Sequence, residues 1–147
     1  MKSLIVYDTF FGNTLKIADA IASILGKDCK VISVNYTNKS DLKDINLLIV
    51  GSPILGWKPS EKTKKFLSSL TDGELKGVKA TAYDTRLRLF IHGDAAKIIV
   101  RELSRAGADI VTGPKGFDVK GREGPLYDGE LEKAKKWALE VKTKFEN

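Results

Sequence analysis

The chain has 147 residues and a formal charge of +6, from 25 Lys plus Arg against 19 Asp plus Glu, a size and balance that suit one soluble domain spanning residues 1–147. One cysteine, Cys29, and one histidine, His92, exclude an internal disulfide, a cysteine metal cluster and a His-rich zinc site. The lysines are scattered without a basic-aromatic motif, no apolar run nears the ~18 residues of a membrane span, and no signal-peptide core opens the chain; we therefore expect no nucleic-acid or membrane partner, a cytoplasmic location and a monomer.

Residues 2–7 read as a first strand, apolar almost throughout as a buried parallel strand is. Thr9-Phe10-Phe11-Gly12-Asn13-Thr14 follows, with three hydroxyl or amide side chains and one glycine where the strand stops. Such a loop either caps the next helix through Asn13 or Thr14, or wraps backbone N–H groups around an anion at a helix N-terminus. The helix has Leu15, Ala18, Ile21, Ala22 and Leu25 on one face and stops at Gly26. A second strand runs over 29–34, and the polar link 35–45 has room for a turn or two of helix.

A third strand, 47–50, ends at Gly51-Ser52-Pro53, and Pro59-Ser60 opens a helix that turns Phe66, Leu67 and Leu70 inward. Residues 78–83 form a fourth strand, and 84–93 a long loop. Asp94 caps a helix lined by Ala95, Ala96, Ile99, Leu103 and Ala106. The fifth strand, 109–119, is interrupted at Gly113-Pro114, because proline cannot donate to a central ladder. Gly124-Pro125-Leu126, an ordinary turn or the border of a ligand site, precedes the last helix, which starts near Asp128 with an inward stripe of Leu131, Ala134, Ala138, Val141 and Phe145. Five strands alternating with about five helices define an α/β fold, a three-layer doubly wound parallel sheet. The first and last helices are expected on one face and the others opposite.

Three loops at the ends of the first, third and fourth strands then carry a resemblance to the flavodoxin family, in its short-chain form, over nearly the whole chain. The family's phosphate loop runs hydroxyl, any residue, Thr, Gly, Asn, Thr; here it stands as Thr9, Phe10, Phe11, Gly12, Asn13, Thr14, with Phe11 in place of a hydroxyl donor. Ser52-Pro53-Ile54-Leu55-Gly56-Trp57 resembles the loop that packs on the flavin. By that match Leu55 covers the inner ring face, Trp57 stacks on the ring or its edge, and the Gly56 peptide turns over to offer its carbonyl to flavin N5–H on reduction. In the third loop, Asp84, Thr85 and Arg86 are expected to meet the polar pyrimidine edge, and Phe90 or an aliphatic side chain to replace the usual outer aromatic. His92 reads as a loop or cap residue.

The resemblance implies strand order 2-1-3-4-5, a flavin mononucleotide (FMN) site at 9–14, 53–57 and 84–86, and a carrier passing electrons between redox proteins. Its positive charge makes those partners acidic ones, and Arg86 and Arg88 are expected to make the reduced, anionic flavin less disfavoured. Alternatives are an FMN-dependent NAD(P)H oxidoreductase acting on a quinone or metal, and a flavin-free interaction domain. A signalling receiver is rejected, because Gly51-Ser52 stands where it needs an aspartate.

Overall fold

A computed structural model describes residues 1–88 and 93–147; the expectations for Phe90 and His92 lie outside the described residues. The strands are β1 (Ser3–Tyr7), β2 (Cys29–Ser33), β3 (Leu47–Leu55), β4 (Lys58–Pro59), β5 (Lys79–Leu87), β6 (Asp109–Ile110) and β7 (Lys115–Val119). The α-helices are α1 (Asn13–Leu25), α2 (Glu61–Ser68), α3 (Ala95–Arg105) and α4 (Glu130–Glu146). The main sheet is parallel in the order β2-β1-β3-β5-β6, with β7 continuing beside β5 and β4 folded back on β3. It is the doubly wound α/β arrangement with the expected strand order, the fifth strand being β6 and β7 on either side of Gly113-Pro114.

Period-two alternation divides the core. Leu4, Val6, Leu48, Val50, Ala80 and Ala82 face α2 and α3, where Leu67, Ile99 and Leu103 close over them. Ile5, Leu47, Ile49 and Tyr83 face α1 and α4, meeting Ile17, Ile21, Ala138 and Val141. Tyr83, Phe117 and Trp137 pack edge to face on that side, with ring centroids 5.9–6.2 Å apart.

Several details depart from the sequence reading. The link before β3 forms two 3-10 turns, Val34–Tyr36 and Lys39–Leu42, and no α-helix, which makes four α-helices among the described residues in place of about five. Its polar side chains fold it locally: Ser33 accepts the Asn35 N–H, and Asn38 and Asp41 form a reciprocal cap. In α4 the inward stripe is Glu130, Ala134, Trp137, Ala138 and Val141, and Leu131 is exposed. The cause is Glu130, whose carboxylate turns inward to accept the Asp118 N–H at 2.6 Å and fixes the helix rotation. No helix among the described residues is long and apolar enough to cross a membrane.

A candidate ligand cleft at the carboxyl end of the sheet

The strands run past the points where the sequence places their ends. β3 continues to Leu55 because it doubles back through a hairpin, pairing Ile54 with Pro59 and Leu55 with Lys58. β5 continues to Leu87 because β7 pairs with it from Tyr83 onward. Residues 84–87 are therefore strand and not loop.

Between the 9–14 loop, the hairpin and the end of β5 lies a cleft of about 380 Å³, within the ordinary range for small-ligand sites. Among the described residues it is lined by Thr9, Phe10, Phe11, Asn13 and Thr14 from the first loop. Pro53, Ile54, Leu55, Gly56 and Trp57 line it from the hairpin, and Thr85, Arg86 and Leu87 from β5. Gly93, Val119 and Arg122 complete the wall. None of these side chains is acidic.

The loop end is built on local hydrogen bonds. Asp8 Oδ1 accepts the Thr9 N–H and Thr9 Oγ1 accepts the Gly12 N–H, both at 2.9 Å. Gly12, at φ 90°, then turns the chain into α1. Gly12 is the N-cap residue, and neither Asn13 nor Thr14 caps the helix, contrary to one of the two readings of this loop. Their side chains are used elsewhere: Asn13 Nδ2 donates to the Glu123 carbonyl at 3.2 Å, and the Thr14 and Thr85 hydroxyls meet at 3.0 Å. The buried Tyr83 hydroxyl donates to the Thr14 carbonyl at 2.8 Å, and burial holds that phenol well above its ordinary pKa. Gly51 makes this possible, since a Cβ there would lie 2.1 Å from the Tyr83 ring.

The amino terminus of α1 is the unusual one. Ser60 caps α2 and Asp94 caps α3 through their side chains, and α4 carries Glu130 and Glu132 in its first turn. Among the described α-helices, only α1 has neither a side-chain cap nor an acidic first-turn residue. Its first N–H groups have no side-chain acceptor among the described residues, the condition under which a helix start can take up a ligand's anion.

The hairpin end is built differently. Gly56 and Trp57 both have positive φ, 52° and 74°, the signature of a two-residue type I′ turn. Gly suits such a position, whereas Trp is strained there. Trp57 is 55% exposed and rims the cleft together with exposed Phe10, Phe11 and Leu55. Residue 93 backs the turn so closely that a Cβ on Gly93 would lie 2.3 Å from the Trp57 Cα.

Asp84 does not reach the cleft, which corrects its expected place at a ligand's polar edge. Alternation puts Asp84 on the α3 side with Ala80 and Ala82, while Thr85 faces α1. Its fully buried carboxylate accepts two N–H bonds from Arg86, at 2.7 and 2.6 Å, and the Ala96 N–H at 2.9 Å. Burial raises the Asp84 carboxyl above its ordinary pKa despite the Arg86 contact. Arg86 also pairs with Asp94 at 3.4 Å, and although burial opposes its charge the two aspartates hold its pKa up. Arg88 pairs with Asp118 and stacks on Tyr127, 3.7 Å from the ring centroid. Both arginines that the sequence reading expected to ease the charge of a reduced flavin are thus paired with aspartates.

Three features of the site escaped the sequence. Tyr83 read only as a strand residue, and Gly93 only as loop. Arg122 went unremarked, although it lies in a charged, glycine-rich loop that had to return across the sheet to α4. Gly124, which read either as an ordinary turn glycine or as a border of the site, packs on Asn13, where a Cβ would come within 2.6 Å of the side-chain amide.

With this geometry in place, the comparisons with known proteins are direct. A family profile described as a flavodoxin domain matches residues 4–85, more than half of the chain. The chain belongs to the flavodoxin family. A flavodoxin of Aquifex aeolicus (strain VF5) is 33% identical over 91 residues, which are 57% of this chain and 49% of the relative, so the match spans about half the length of that protein. Flavodoxin 1 of Bacillus cereus superposes with a TM-score of 0.82 at 22% identity, covering 97% of this chain and 98% of its own. Rubredoxin:oxygen oxidoreductase of Desulfovibrio gigas superposes at 0.81 with 19% identity, 98% of this chain matching 36% of the larger protein. At such identities the two superpositions speak for the fold.

Proposed function

We propose that the chain is an electron carrier that binds FMN in the cleft and exchanges electrons with redox proteins, residues 1–147 acting as one domain. The observation that carries this reading is the division of the cleft: an uncapped helix start and hydroxyl side chains at one end, and an apolar hairpin wall at the other. In this reading Thr9, Asn13, Thr14 and the first amides of α1 hold the phosphate. Residues 53–57 cover the ring, and Thr85, Arg86 and Leu87 flank its edge, with Asp84 serving only to hold Arg86. The bound flavin supplies the electron-transfer chemistry. The protein orients it, shields its inner face and leaves an exposed apolar rim at Phe10, Phe11 and Trp57 for a partner.

The test is the absorption spectrum of purified protein before and after adding FMN. Bound flavin gives a yellow protein with a shifted flavin band; a colourless protein that takes up no FMN sinks the reading. The net charge of +6 further favours an acidic redox partner, and docking should slow as salt is raised. A salt-independent rate removes that part of the proposal.

A further inference from the structure

We infer that Arg122 is a specificity-determining residue of the cleft, the cation that pairs with the ligand's terminal phosphate and makes the site prefer a phosphorylated flavin to its unphosphorylated form. The inference rests on the FMN reading of the cleft and goes beyond it, because the 9–14 loop itself contains no lysine or arginine.

Two arginines line the cleft among the described residues. Arg86 is committed to Asp84 and Asp94. Arg122 is exposed and forms no ion pair among the described residues. Its place is fixed by its neighbours: the Glu123 carbonyl accepts the Asn13 amide, and the Gly124 backbone packs on the same side chain. Residue 122 thus sits against the first turn of α1, at the end of the cleft with the uncapped helix start. A guanidinium there offers N–H donors in a planar fork that matches phosphate oxygens. The loop has one hydroxyl fewer than the pattern it resembles, since Phe11 stands at that position. Arg122 supplies donors that Phe11 lacks, from the loop that Asn13 holds.

The experiment measures dissociation constants of FMN and riboflavin, by flavin fluorescence, for the native chain, Arg122→Gln and Arg122→Lys across a salt series. Arg122→Gln should weaken FMN about three- to tenfold, the size of a partly solvated pair with a dianion. It should leave riboflavin unchanged and flatten the salt dependence of FMN binding, and Arg122→Lys should recover most of the loss. Riboflavin serves as the control for an intact cleft. Equal losses for both ligands, or no loss for FMN, overturn the assignment of Arg122 while leaving the flavin site standing. A native chain that binds neither ligand overturns the reading of the cleft itself.

Discussion

The 9–14 loop and the 55–58 hairpin leave neighbouring strands at the same edge of the sheet and face each other across the cleft, yet different forces hold them. The loop is tied to β5 by neutral hydrogen bonds, from the Tyr83 hydroxyl to the Thr14 carbonyl and between the Thr14 and Thr85 hydroxyls. The hairpin carries a tryptophan at positive φ and leans on residue 93, beside Asp94, which joins the Asp84–Arg86 pair. A single strand, β5, serves both ends: its odd residues reach α1 and its even residues reach the start of α3. The difference teaches how one sheet edge is made firm at the loop, where the proposed reading puts the anion, and strained at the hairpin turn, where Trp57 holds a positive φ.

The largest effect should come from the ionic side. Arg86→Ala leaves a fully buried carboxylate with one remaining donor, the Ala96 N–H. The expected cost is about 3 kcal/mol, the low end for breaking a buried pair by removing one partner. The pH dependence has a definite sign. Burial already holds the folded Asp84 carboxyl above its ordinary value, and losing Arg86 raises it further. A folded state that binds the proton more tightly than the unfolded one gains stability as pH falls through the interval between the two values. The deficit in Arg86→Ala should therefore be greatest near neutral pH and shrink on acidification through that interval, as read by urea unfolding at several pH values. A pH-independent deficit would mean that packing of the guanidinium, and not its charge, supports the hairpin end.

Tyr83→Phe probes the loop end and should cost less, about 1–1.5 kcal/mol for one neutral hydrogen bond to a buried carbonyl. The ring contacts with Phe117 and Trp137 remain, so the loss belongs to the hydroxyl. If that bond sets the register of α1 against β5, FMN affinity should fall while riboflavin affinity holds, because only the phosphate depends on the helix start. Equal loss of both ligands would show that Tyr83 supports the cleft as a whole and would weaken the division between its ends.

How much of this was legible in the sequence follows the range of the forces. The strand order followed from the family resemblance, and the α/β class from hydrophobic period alone, since runs such as Leu4-Ile5-Val6 and Leu47 to Val50 bury on both faces whatever lies around them. The cleft residues at 9–14 and 53–57 were legible because each loop is a contiguous motif. What was hidden was long-range: which face Asp84 takes depends on where β5 ends, and that is set by β7 some thirty residues later. Glu130 stands in the first turn of α4, but what its carboxylate accepts is the Asp118 backbone N–H, twelve residues earlier. Arg122 is far from the motif in sequence and reaches it only because Asn13 holds its loop.

Trp57→Gly has the smallest expected effect and bears most directly on the strain. An L-residue in the left-handed region costs about 1–2 kcal/mol, against which a glycine loses about 0.5–1 kcal/mol in added freedom of the unfolded chain. Trp57 is 55% exposed and gives up little burial when removed. The variant should thus be more stable than the native chain by about 0.5–1 kcal/mol, measured by the shift in urea midpoint at constant slope. Flavin affinity should move the other way, for FMN and riboflavin alike, because the indole walls the apolar end of the cleft and does not meet the phosphate. A more stable protein that binds flavin less well identifies Trp57 as a residue kept in a strained turn for its ligand. A less stable protein would show that the turn carries no strain at Trp57. A more stable protein with unchanged affinity would assign the indole to the partner-facing rim.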